Sequence, residues 1–227
     1  MNTEKYIALL QELKPYGAKL VAVSKTKPVA DILELYNLGQ RIFGENKVQE
    51  VLQKQPLLPA GIEWHLIGHL QTNKVKQVIP FAAMIHSVDS LKLLAEINKQ
   101  AAKSSRVVNC LLQIFIADEE TKFGLSEEEL RSLLQSDEFK AMKNIRICGL
   151  MGMASNTNEE QKIAAEFGRL QRLFTTIKKQ YFATEDYFKE LSIGMSSDYK
   201  IALKHGATLI RLGSVIFGER RERPDAV

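Results

Sequence analysis

Cysteine is nearly absent: the 227-residue sequence has two, Cys110 and Cys148, both inside apolar runs and without C-x-x-C spacing. A disulfide framework is thereby excluded. Buried free thiols in a reducing compartment, and so a cytoplasmic chain, are expected. No apolar run approaches the ~20 residues that a membrane-spanning helix needs. The opening Met1-Asn2-Thr3-Glu4-Lys5 lacks the charged-then-apolar pattern of a signal peptide, so no membrane partner is expected. Charge of one sign is not in great excess: 31 Lys and Arg face 27 Asp and Glu, a net charge of +4. That is too little to argue for nucleic acid without a basic stripe. The nearest candidate, Arg220-Arg221-Glu222-Arg223, is interrupted by a glutamate and reads as a solvated end; Asp118-Glu119-Glu120 reads as a solvated turn. The four histidines, His65, His69, His86 and His205, have neither H-x-x-x-H nor H-E-x-x-H spacing, so no metal site is expected. No Cys–His or Ser–His pair announces a nucleophile.

What the sequence does have is alternation. Apolar or β-branched runs occupy 20–25, 41–45, 63–67, 84–88, 107–116, 145–153, 188–193 and 208–217. Segments with helical spacing lie between them, from Ile32, Leu33, Leu35 and Leu38 to the long series Ile163, Phe167, Leu170, Leu173 and Ile177. Residues 3–14 add a helix in front, with Ile7, Leu9, Leu10 and Leu13 among polar neighbours. Ser126 with Glu129 predicts a capping box, and Asn158 with Gln161 a second. Eight strands alternating with helices imply a parallel sheet covered by helices. In this length they predict one (β/α)8 TIM barrel over residues 1–227, of fold class α/β, with an extra N-terminal helix. The rival is an open doubly wound sheet, but no glycine-rich dinucleotide fingerprint follows the first run.

Barrel sites form where the strands end. The first strand end is Val21-Ala22-Val23-Ser24-Lys25-Thr26-Lys27-Pro28, where Val21, Val23 and Lys25 share a face. A lysine drawn toward a core has a lowered pKa and becomes a nucleophile suited to Schiff-base chemistry. The competing reading is a solvated lysine past the strand end. Lys27 has the same parity, so spacing alone leaves two candidates. Near the last two strands, Gly194, Ser196, Gly213 and Ser214 supply small and hydroxyl residues where barrels often bind phosphate. The plainer alternative makes Gly194 a turn and Ser196 a helix cap. Arg211 shares parity with Leu209 and Gly213, so its guanidinium is expected at the mouth. Its partner there is either a ligand or an internal carboxylate such as Glu45.

Several stretches together resemble the pyridoxal phosphate homeostasis proteins, small barrels related to the N-terminal domain of alanine racemase. They are Ala22-Val23-Ser24-Lys25, Phe43 to Glu50, Trp64 to Lys74, Thr121-Lys122-Phe123-Gly124, Gly149-Leu150-Met151, Leu191 to Asp198, and Arg211 to Gly218. The resemblance spans about residues 18–219. It implies pyridoxal 5′-phosphate as cofactor, held by Lys25 as an internal aldimine. Ser196, Gly213 and Ser214 would hold the phosphate, Asn46 would lie beside the cofactor, His65 and Met151 would line the pocket, and Arg211 would face the pyridine nitrogen. An arginine there keeps that nitrogen unprotonated and weakens the electron sink. Alanine racemase adds a catalytic tyrosine from a β-rich second domain, which is not expected in a chain that ends at Val227. The implied role is therefore cofactor buffering and delivery, with cofactor-dependent apo-enzymes as partners, rather than catalysis. An amino-acid racemase or lyase, and a cofactor-free phosphosugar enzyme using Lys25, are the rivals. Lys74 and Lys122 are further lysines near strand-end loops, with surface positions the default for both.

Overall fold

The computed structural model describes residues 3–117 and 123–218. The Asp118-Glu119-Glu120 run, Lys122 and the Arg220–Arg223 tail lie outside them. Helix α1 (Thr3–Leu13) leads into β1 (Lys19–Val23), followed by α2 (Val29–Asn37), β2 (Ile42–Glu45), α3 (Val48–Lys54) and β3 (Glu63–Leu66). Next come α4 (Val75–Val78), β4 (Ala82–Val88), α5 (Leu91–Lys103), β5 (Val108–Gln113), α6 (Glu127–Gln135) and α7 (Asp137–Lys140). The order closes with β6 (Ile145–Met151), α8 (Glu160–Tyr181), β7 (Glu190–Ser192), α9 (Tyr199–Lys204), β8 (Leu209–Leu212) and α10 (Ser214–Phe217). The eight strands run parallel in sequence order and close into a barrel, β1 pairing with both β2 and β8. The expected α/β barrel is what forms.

Strand parity sorts the side chains into two cores. Leu20, Ala22, Ile210 and Leu212 point outward and pack under the helices. Val21, Met84, Leu111, Cys148, Met151 and Leu209 fill the barrel. Burial pushes the Cys110 thiol strongly up and the Cys148 thiol up to about 11. Since only thiolate reacts, neither cysteine is expected to be modified by a disulfide reagent at neutral pH until urea unfolds the chain. One equivalent reacting at once in the folded protein would contradict this.

Three local expectations change. The apolar run 208–217 is a strand only to Leu212; Gly213 ends it, and residues 214–217 turn into α10. On α1 the buried side chains are Tyr6, Leu9 and Leu13, while Ile7 and Leu10 are exposed. The Ser126–Glu129 capping box is present. The one at Asn158 is not: α8 starts after Glu159 with no side-chain cap. The loop before it is instead tied down by buried Glu166, which accepts from the amide and hydroxyl of Ser155, both at 2.7 Å. Among the described residues, no helix is long and apolar enough to cross a membrane, and no group of side chains is arranged to hold a metal ion.

Candidate functional site

The C-terminal ends of the strands surround a cavity of about 400 Å³. Its wall includes Lys25 and Asn46, just beyond β1 and β2, with Ser196 after β7 and Arg211, Gly213 and Ser214 at the end of β8. Six of the eight sequence candidates therefore meet in one place. The other two do not. Met151 lies in the barrel core, and His65 is buried in the barrel, in the wall of a different cavity. Their positions at the mouth are taken by Ile67 and Met153. Each is two residues further along its chain, on the same parity but one layer higher.

Lys25 sits on a turn that closes with the Lys27 amide donating to Ser24 O at 3.0 Å. Thr26 has φ of 64°, the left-handed region that a β-branched residue rarely enters. A buried ion cluster holds this turn. Lys54 Nζ, at the end of α3, donates to Ser24 O (2.8 Å), Glu45 Oε1 (2.8 Å) and Glu50 Oε1 (2.7 Å), which saturates its three protons. Ser24 Oγ also donates to Glu45 Oε1 at 2.7 Å, and the Thr26 amide donates to Glu50. Glu45 is fully buried; among the described residues its Oε2 has no hydrogen-bond partner. Burial pushes its carboxyl above the ordinary value, opposed by Lys54 and Ser24. Glu45 thus pairs with Lys54 and not with Arg211. Lys27, which shares the parity of Lys25, also reaches the cavity wall. Its ammonium, however, donates to the carbonyls of Phe217 (3.3 Å) and Gly218 (3.2 Å).

Arg211 is buried among backbone oxygens. Nη1 donates to Ser192 O (2.8 Å) and Ser192 Oγ (2.6 Å), and Nη2 to Gly152 O (3.0 Å). A guanidinium has five N–H donors, so two remain beyond these bonds, on a side chain that lines the cavity. Burial pulls its pKa down to about 10, with Asp198 pulling the other way, and it stays charged at neutral pH. Asp198 Oδ1 accepts from the Met195 amide at 2.6 Å and shapes the loop bearing Ser196. Ser214 Oγ donates to Ser196 Oγ at 2.9 Å, so two hydroxyls face one corner. Gly194 serves packing: at φ 93° its missing Cβ would come within 2.7 Å of Ala202 Cβ. At Gly213 a Cβ would stand 3.0 Å from Val23 O, so the backbone of β8 lies close against β1 at the cavity wall.

Fold and site together define a parallel α/β barrel with a lysine, a buried arginine and a hydroxyl pair at its C-terminal mouth. The family model "Alanine racemase, N-terminal domain" matches residues 3–221. The pyridoxal phosphate homeostasis protein of Aquifex aeolicus is 38% identical over 205 residues, 90% of this chain and 88% of that protein. Its counterpart from Synechocystis is 39% identical over 217 residues, 95% and 97% of the two chains. PipY of Synechococcus elongatus, solved without pyridoxal phosphate, superimposes with a TM-score of 0.88 at 35% identity, covering 95% of this chain and 99% of PipY. The structure of PipY with pyridoxal phosphate bound gives 0.85. The chain belongs to the alanine racemase N-terminal domain family, among the pyridoxal phosphate homeostasis proteins.

Proposed function

We infer that the upper cavity holds pyridoxal 5′-phosphate through a reversible Schiff base to Lys25, and that the protein buffers and delivers this cofactor. The observation that carries the reading is the convergence of an amine, two hydroxyls and a ring-sized cavity floored by a fixed guanidinium. The donor set suits the group. The Ser196 and Ser214 hydroxyls suit a phosphate, while the Ile216 and Phe217 amides of α10 are already spent on Gly213 O, at 3.0 and 2.9 Å. The spare Arg211 donors suit a ring nitrogen, with Asn46 alongside. Lys25 and Lys27 both reach the cavity wall; the resemblance carried by Ala22-Val23-Ser24-Lys25 is what favours Lys25 as the anchor.

Bound in this way, pyridoxal phosphate would supply an electron sink. Arg211 cannot accept a proton, so it keeps the ring nitrogen neutral and the sink weak. Racemisation needs a second acid–base group across from Lys25. Among the described residues lining the cavity, the ionisable ones are Lys25, Lys27 and Arg211. This favours holding the cofactor over transforming an amino acid on it, and it is in keeping with the name the relatives share.

Purified protein mixed with pyridoxal phosphate is expected to turn yellow and to lose the band on borohydride reduction. The added mass should map to Lys25, and Lys25→Ala should show no band. An unchanged band in that variant, or mass on another lysine, sinks the assignment. Solvent deuterium should enter the α position of L-alanine no faster than with free cofactor; a much faster rate would make the protein a racemase or lyase.

A further inference from the structure

The barrel has a second cavity, at its opposite, N-terminal mouth, of about 300 Å³. This face of a barrel is usually concerned with stability. Here its wall includes Lys19, Glu63, Arg146 and Glu190 from the starts of four strands, and His65, two residues further into the barrel than Glu63. His65 is only 4% exposed.

His65 begins a polar chain that crosses the barrel. His65 Nδ1 lies 2.9 Å from His86 Nε2, and His86 Nδ1 lies 2.9 Å from Ser192 Oγ. Ser192 Oγ accepts from Arg211 Nη1 at 2.6 Å. Proton positions follow from the donor inventory. Arginine only donates. The Ser192 hydroxyl has one proton, and His86 Nδ1 is the acceptor it meets among the described residues. His86 then carries its proton on Nε2 and donates to His65 Nδ1, which leaves the His65 proton on Nε2. That nitrogen has no protein partner among the described residues. The reverse direction would strand the buried Ser192 proton without an acceptor among the described residues, and an unsatisfied buried donor is destabilising.

The chain therefore presents an N–H donor to the lower cavity, and the rim adds cations. Glu190 is already engaged: it accepts from Thr208 Oγ1 at 2.6 Å and pairs with Lys19 at 3.7 Å. Arg146 stacks over the Tyr187 ring at 5.3 Å, with its charge at the rim. Lys19, Arg146 and Lys189 against Glu63 and Glu190 leave the wall with one net positive charge, and with the N–H donor at its centre it suits a small acceptor carrying negative charge. The volume is at the small end for ligand cavities. We propose that the N-terminal mouth is a second ligand site, for a small carboxylate, anchored by His65 Nε2–H with Lys19 and Arg146 at the rim and linked through His86 and Ser192 to Arg211.

The test uses cofactor-free protein labelled with ¹⁵N at histidine, so it does not depend on what the upper cavity holds. Long-range proton–nitrogen correlation reads the tautomer of each ring. His65 and His86 are both expected to be Nε2-protonated. Titration with acetate, and separately with 2-oxoglutarate, against chloride at matched ionic strength, should shift His65 Nε2 saturably. In a Lys19→Gln, Arg146→Gln variant the apparent affinity should fall several-fold with the His65 tautomer unchanged. A proton on His65 Nδ1, a shift that chloride reproduces, or equal affinity in the variant would overturn the proposal.

Discussion

Replacing Lys54 by methionine is expected to cost the folded protein about 3–5 kcal/mol, the range for a buried ion pair that loses one partner. The side chain of Lys54 is 9% exposed and that of Glu45 not at all, so the pair is beyond the reach of the solvent screening that makes surface pairs nearly neutral. Losing the ammonium would strand the Glu45 carboxylate, whose Oε2 already has no partner among the described residues. It would also release Ser24 O and Glu50, and with them the turn that aims Lys25. Glu45→Gln in the Lys54→Met background should restore most of the stability, because the stranded charge is gone. Urea midpoints at neutral pH measure both. A single variant that loses under about 1 kcal/mol would mean that the pair behaves as an exposed one. The pH dependence has a definite sign. The Glu45 carboxyl is already raised by burial, and without Lys54 it rises further. A raised carboxyl contributes stability below its unfolded pKa and loses it as pH climbs through the folded one. The deficit of Lys54→Met relative to the parent protein should therefore shrink toward acid pH.

This cluster also shows where sequence reasoning stops. Period-two alternation is a local property, so Val21, Val23 and Lys25, and Leu209, Arg211 and Gly213, could be assigned to the inner face from neighbouring residues alone. The layer a residue reaches depends on inter-strand register. His65 lies opposite Gly44 and Met84 in the ladders, which places it inside the barrel rather than at its mouth. The same holds for Met151 beside Gln113 and Ser192. Glu50 and Lys54 are spaced i, i+4, which on a helix reads as an ordinary surface pair. Only the approach of β1 and β2 makes it a buried clamp. His86 and Ser192 did carry a signal, as polar residues inside the apolar runs 84–88 and 188–193. What they pair with is set by strands far apart in the chain.

Those two histidines lead to the other large effect. Stability is expected to fall steeply as pH drops below about 6.5, by up to roughly 2.7 kcal/mol per pH unit when two histidines titrate only in the unfolded chain. Burial holds His65 down to about 3, with Lys19 adding to the effect. It also holds His86 well below its ordinary value, helped by His65 and Arg211. With the folded pKa depressed, protons bind preferentially to the unfolded chain. The stability contributed by the two neutral rings is thus complete above the unfolded value and is lost as pH falls toward the folded one. Glu45 and Asp198, both raised by burial, act in the opposite sense between their unfolded pKa values and their folded ones, and reduce the net slope there. Urea titrations at half-unit steps would measure the slope. His65→Gln and His86→Gln should each reduce it by about 1.4 kcal/mol per unit, whatever their stability at neutral pH. If both variants keep the parent slope, the rings are accepting protons in the folded state. The hydrogen-bond chain from His65 to Arg211 could not then be made of neutral rings, because a charged imidazole donates from both nitrogens and neither ring would have an acceptor left for the other.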